Sequence, residues 1–216
     1  MNSLNPLLAR FPGLAEKITT SQDDALDLQL EKAASGDWTL KANNLYVHSA
    51  RDPRKEAERL VNSLDEAGAY IVLGFGLGYA ALSLVQKINR EPRRPRERLL
   101  PFIIIVEKHL SILKRALDLI DLNAVLEYPN LIIIPAAEPS AIVHALDAVN
   151  GKDCSRGSRR SRLIPNPTLS KLDAQYYTSI ENIIAAYQSK DAVNEATLKK
   201  FGALWERNSR KNKAII

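Results

Sequence analysis

Three glycines on alternate positions, Gly74, Gly76 and Gly78, close the stretch "AYIVLGFGLGYAAL" after an unbroken apolar run. A strand that ends in such a turn and feeds a helix gathers bare main-chain N–H groups and the positive end of the helix dipole at one point. That arrangement can hold a phosphate or the ribose of a nucleotide. A second residue type belongs with it. Glu107 ends the next apolar run, "FIIIVE", where a carboxylate can accept hydrogen bonds from ribose hydroxyls. Gly74, Gly76, Gly78 and Glu107 are therefore the candidate cofactor-binding residues. Their spacing is G-x-G-x-G, which differs from the G-x-G-x-x-G of dinucleotide-binding turns.

Other residue types offer less. His48, His109 and His144 lie far apart with no metal-ligand spacing, so no metal site is expected. His48 is expected to bond to the turn "SARDP"; His109, two residues after Glu107, either borders the ligand crevice or sits exposed at a helix start. Serine, histidine and aspartate are present without a nucleophile-elbow context, and no catalytic residue is assigned. The single cysteine, Cys154, excludes an internal disulfide framework and fits a reducing, cytoplasmic setting.

The elements that must position the glycines read clearly. "AYIVLG" (69–74), "FIIIVE" (102–107) and "LIIIP" (131–135) are continuous apolar runs, as parallel strands covered on both faces require. Helical patterns follow each: Tyr79 to about Ile88, Leu110 to about Ile120, and Pro139 to about Val149. This βαβαβα order predicts an α/β fold, a Rossmann-like, doubly wound sheet with right-handed crossovers. Upstream, "DDALDLQLEKAAS" carries a mixed helical pattern ended by Gly36, and Trp38 to His48 alternates around "ANN" as a hairpin. Asp52-Pro53 opens a helix to about Glu66. Downstream, two helices separated near Ser189 to Asp191 are expected, and "KAII" looks like the opening of another strand in a protein that continues. The division expected is a prologue over 1–52, the α/β domain over 53–165 and a helical extension over 166–216.

The formal charge is +5 and the pI near 9.3, with the excess concentrated in two loops. "NREPRRPRER" holds Arg90, Arg93, Arg94, Arg96 and Arg98; "GKDCSRGSRRSR" holds Lys152, Arg156, Arg159, Arg160 and Arg162. Each leads from a helix into a strand-like run, which puts both at the sheet edge opposite the glycine turn. Neither interleaves the aromatics that stack bases, so solvated loops are preferred to a nucleic-acid surface. No segment approaches the roughly 20 apolar residues needed to span a bilayer, and the N-terminus does not read as a signal peptide.

The glycine turn and Glu107 resemble the first two motifs of S-adenosylmethionine-dependent methyltransferases, with one departure: Val72 stands where those enzymes usually carry an acid. "PNP" at Pro165 to Pro167 lacks the aromatic of an "NPPY"-like segment. A wider set of segments resembles the N-terminal region of the motility-associated factor (Maf) flagellin glycosyltransferases. The set comprises the hairpin, then His48, Ser49, Asp52, Pro53, Glu56 and Ala57, then "VLGFGLGYAA", "IVEKHLSILKRAL" and a helix bearing Phe201, Trp205, Asn208 and Asn212 on one face. The chain differs from that pattern in its Arg-rich loop and in Lys108, where proline is common. The resemblance implies a non-catalytic domain of a larger bacterial protein that moves CMP-activated pseudaminic or legionaminic acid onto Ser or Thr of flagellin, in the cytoplasm. Its implied partners are flagellin, a following glycosyltransferase domain and further copies of itself. Two alternatives stay open: a methyltransferase using S-adenosylmethionine, and a nucleic-acid-associated basic domain.

Overall fold

Leu28 and Leu30 alternate with Gln29 and Glu31, and this period of two wins over the helical pattern read through "DDALDLQLEKAAS". In the computed structural model, β1 (Leu28–Lys32) pairs antiparallel with β2 (Trp38–Ala42), and β2 with β3 (Leu45–Tyr46). The helix expected there is corrected to an edge strand. Glu31 fixes it across the sheet by pairing with Lys41 at 2.6 Å and accepting the Tyr46 hydroxyl at 2.9 Å. The hairpin expected from Trp38 to His48 is present. Asn43 and Asn44 both take positive φ, 49° and 62°, the geometry that lets a two-residue turn match strand twist. Residues 7, 9–20, 26–90, 100–136, 138–150 and 161–213 are described, the side chains from 191 onward only for Val193, Thr197 and Lys200.

Asp52 caps α2 (Pro53–Asn62) with proline at its start, as expected, and the helix closes at Ser63, whose N–H donates to Arg59 O, short of the Glu66 that the sequence pattern suggested. The apolar runs then form a parallel sheet. β4 (Ala69–Leu73) is central, β5 (Phe102–Glu107) and β6 (Leu131–Pro135) lie to one side, and β7 (Ser161–Pro165) lies on the other, giving the order β6-β5-β4-β7. All of β4 and Ile103 to Glu107 are buried, as strands with both faces covered must be. The helices are α1 (Pro12–Thr20), α3 (Tyr79–Arg90), α4 (Leu110–Leu119), the short α5 (Asn123–Leu126) and α6 (Ala141–Asn150). This is the Rossmann-like α/β architecture expected, with a fourth strand that the sequence showed only as the strand-like run after the second basic loop.

Strand order reverses at β4: successive strands add on one side until the chain crosses back to lay β7 on the other. The switch point therefore lies between the C-terminal ends of β4 and β7.

The C-terminal part differs from expectation. α7 (Pro167–Leu172) is followed by one continuous helix, α8 (Ala174–Lys213), instead of two. Neither proline nor glycine interrupts Ser189 to Asp191, and the Ser189 hydroxyl is absorbed by the Ala185 carbonyl at 2.9 Å. Tyr177, Ile180 and Ile184 of α8 join the same buried cluster as Ile18, Leu40 and the strands. No helix among the described residues is long and apolar enough to cross a membrane. Arg93, Arg94, Arg96, Arg98, Lys152, Cys154, Arg156, Arg159 and Arg160 lie outside the described residues, as do the side chains of Phe201, Trp205, Asn208 and Asn212. Arg162 is described and pairs with Asp65 at 2.6 Å.

Candidate functional site at the glycine turn

Gly74, Gly76 and Gly78 all take positive φ, 79°, 56° and 83°, which is why this turn needs glycine. A Cβ on Gly74 would stand 3.0 Å from Leu169, and one on Gly78 2.7 Å from Phe75. The turn's N–H groups are each taken within the chain. Gly74 donates to Val106 O at 2.9 Å and Gly78 to Phe75 O at 3.0 Å. Glu107 Oε2 accepts from Phe75 at 2.8 Å and from Gly76 at 3.3 Å, while its Oε1 accepts the His109 N–H at 2.9 Å. Leu77 N–H donates to His48 Nε2 at 2.7 Å.

The structure thus brings together the four residues singled out from sequence. Glu107 is fully buried with both oxygens turned onto main-chain N–H groups. Burial pushes its carboxyl up to about 7, against the pull of His109, Gly76 and Phe75. His48 was expected to bond to the following "SARDP" turn; it reaches instead across to the glycine turn. Its Nε2 would come within 2.4 Å of a Cβ on Gly76, so the imidazole covers that glycine. Burial lowers the His48 pKa to about 4. A neutral ring whose Nε2 accepts must carry its proton on Nδ1. Tyr79 meets the imidazole edge-on at 5.2 Å and donates to Trp38 O at 2.7 Å.

The residues after His48 hold it there. Ser49 Oγ accepts the N–H groups of Arg51 and Asp52, at 3.1 and 3.2 Å, and Glu56 reaches back to the Ser49 N–H at 2.8 Å. Asp52 caps α2 through the Lys55 N–H at 3.0 Å. Ser49, Asp52 and Glu56 therefore form a relay of side-chain to main-chain bonds across the start of α2 that fixes the exit of the hairpin. On the other side Asn166 joins three elements. Its Oδ1 caps α7 through Thr168 and Leu169, both at 3.1 Å, its Nδ2 donates to Val47 O at 3.0 Å, and its N–H donates to Leu73 O at 2.7 Å.

These contacts enclose a cavity of about 420 Å³ at the switch point, walled by Val47, Leu60, Val72, Phe75 and Ile164, with His48, Ser49, Glu56 and Asn166 among its polar residues. A second polar cluster lies beyond β5. Asp173 pairs with Lys108 and with His109 Nε2, the latter at 2.5 Å. Burial opposes ionisation of Asp173, but these two partners outweigh it and hold its carboxyl below the usual range. Of the two readings of His109, exposure at the helix start is corrected: the residue is buried next to Glu107, whose Oε1 takes its N–H. His144 is exposed, and no group of metal-ligating side chains occurs among the described residues.

His48 as a partner of the turn, Asn166 and Asp173 were not assigned these roles from sequence. Long-range contacts place them, and only Asn166 carried a local signal, as the residue before Pro167 at a helix start.

No family model matches the chain. An uncharacterized protein from Treponema pallidum (strain Nichols) is 27% identical over 217 residues, covering 96% of this chain and 68% of that protein. Among solved structures, that of the MAf glycosyltransferase from Magnetospirillum magneticum AMB-1 matches with a TM-score of 0.55 at 18% identity, covering 84% of this chain and 34% of that one. The two share a fold, and this chain spans about a third of that structure's length.

Proposed function

We propose that this chain serves as a non-catalytic N-terminal domain of a Maf-type glycosyltransferase, cytoplasmic and bacterial, presenting or recognising flagellin for transfer of a nonulosonic sugar. One observation carries the non-catalytic part: the N–H groups of the glycine turn are satisfied by Glu107, His48 and main-chain carbonyls. A phosphate or ribose needs those donors free. In this reading Gly74, Gly76, Gly78 and Glu107 lock the turn instead of gripping a cofactor, and the CMP-activated sugar is held by a separate domain. The fold likeness to a Maf glycosyltransferase, together with the motif around His48, supports the assignment to that enzyme class.

The test uses the purified chain. Saturable binding to monomeric flagellin in biolayer interferometry, with no sugar transfer from a CMP-nonulosonic acid donor, is the expected result. Sugar transfer by this chain alone would overturn the non-catalytic role. Calorimetric binding of S-adenosylhomocysteine that disappears in Glu107→Ala would favour the methyltransferase alternative.

A further inference from the structure

The three-stranded sheet has one covered edge and one open edge. At β3, Tyr46 turns its carbonyl away from β2, and the Thr168 hydroxyl donates to it at 2.7 Å, so the start of α7 closes that side. At β1 the bonds to β2 fall on odd residues. Asn43 N–H donates to Asp27 O and Ala33 N–H to Asp37 O, and the register carries that alternation through Gln29–Lys41 and Glu31–Thr39. Leu28, Leu30 and Lys32 therefore point their main-chain N–H and C=O groups outward, where they have no partner among the described residues. None of the five residues of β1 is buried, against three of five in β2.

An open edge of this kind is a template for another strand, and a charged side chain is the usual guard. Here the charges are drawn back onto their own sheet. Lys32 Nζ lies 3.7 Å from the centre of the Trp38 ring, and Glu31 is held by Lys41 and Tyr46. The edge is left with a row of main-chain donors and acceptors beside Leu28 and Leu30, both partly buried against the core.

We propose that β1 pairs antiparallel with β1 of a second copy of this chain, across a two-fold axis at Leu30, so that the two three-stranded sheets become one. Charge and pairing together set the axis. With Leu30 on it, the outward-facing residues meet as Leu28–Lys32 and Leu30–Leu30, each pair exchanging both N–H···O bonds. Gln29 then lies opposite Glu31 of the second copy, twice by symmetry. Its Nε2 donates to Asp27 at 2.9 Å and keeps a second N–H for that carboxylate. An axis at Gln29 would set Asp27 against Glu31, and one at Glu31 would set the two Glu31 carboxylates against each other. Of these three registers, that at Leu30 alone opposes no like charges. A five-residue strand makes a small contact, so the association is weak and reversible.

Sedimentation velocity of the full chain over a concentration series reads the association, and amide hydrogen exchange locates it. A monomer–dimer equilibrium is expected, in which exchange at Leu30 slows as concentration rises while Gln29 and Glu31, bonded to β2, are protected throughout. Gln29→Glu sets carboxylates face to face and should weaken dimerisation about fivefold, whereas Gln29→Lys should strengthen it about as much. Within the chain position 29 faces Lys41, so the same two substitutions shift monomer stability in the opposite sense, which separates pairing from folding. The proposal is overturned by any of three results: a chain still monomeric at its solubility limit, exchange at Leu30 that ignores concentration, or dimerisation equal in Gln29→Glu and Gln29→Lys.

Discussion

His48 Nε2 accepts the main-chain N–H of Leu77 at 2.7 Å, so a residue of the N-terminal hairpin closes the turn that follows the central strand. The two residues are 29 positions apart, and the bond is buried. It places the hairpin over the spot where a helix-bound ligand would lie in a fold of this kind.

Gly76→Ala should be strongly destabilising. The new methyl would stand 2.4 Å from His48 Nε2 at a φ of 56°, so strain and loss of the imidazole contact combine. A loss of about 3 kcal/mol is expected in urea unfolding, from the left-handed backbone and the disrupted buried bond together.

His48→Ala leaves the Leu77 N–H buried without an acceptor and should lower stability by roughly 2–3 kcal/mol. Hydrogen exchange at Leu77 should accelerate more than at Val72 in the centre of β4, which separates loss of this bond from general loosening.

The two buried titrating groups beside the turn make opposite contributions to pH dependence. His48 has a folded pKa of about 4, below its ordinary 6.5, so its contribution is complete above pH 6.5 and is lost as pH falls towards 4. Glu107 has a folded pKa of about 7, above its ordinary 4.5, so its contribution is complete below pH 4.5 and is lost as pH rises through 7. Glu107→Gln removes the second effect. Its stability relative to the parent chain should rise by about 3 kcal/mol between pH 4 and pH 8, read from chemical unfolding at each pH.

Asn166→Asp should retain the α7 cap but lose the Nδ2 bond to Val47 O, whereas Asn166→Ala loses both. Expected losses are about 1 kcal/mol for the first and about 2 kcal/mol for the second in thermal or urea unfolding. An Asn166→Asp variant as stable as the parent chain would show that the tie to the hairpin contributes nothing, and equal losses in the two variants would show the same of the cap.

Much of this architecture was legible in the sequence because it rests on local patterns. β4, β5 and β6 are apolar runs, the glycines demand a turn, Asp52-Pro53 demands a helix start, and Asn43-Asn44 demands a hairpin. What escaped depends on partners distant in the chain. β1 reads as a helix until Glu31 is seen against Lys41 and Tyr46. α8 looks interrupted at Ser189 until the hydroxyl is found folded back on Ala185. The candidate site was half legible: the sequence assembled the glycines and Glu107, but could not show that the carboxylate faces the turn or that His48 covers it. Neither the direction of a side chain nor a contact over 29 residues leaves a mark in periodicity.

The central claim is that the glycine turn is locked by the chain's own side chains. Amide ¹H–¹⁵N resonances of Phe75, Gly76 and Leu77 test it most directly, during titration with S-adenosylhomocysteine and with a CMP-activated nonulosonic acid. No saturable movement of the three is predicted with either compound; a saturable shift of all three, lost in Glu107→Ala, would contradict the account.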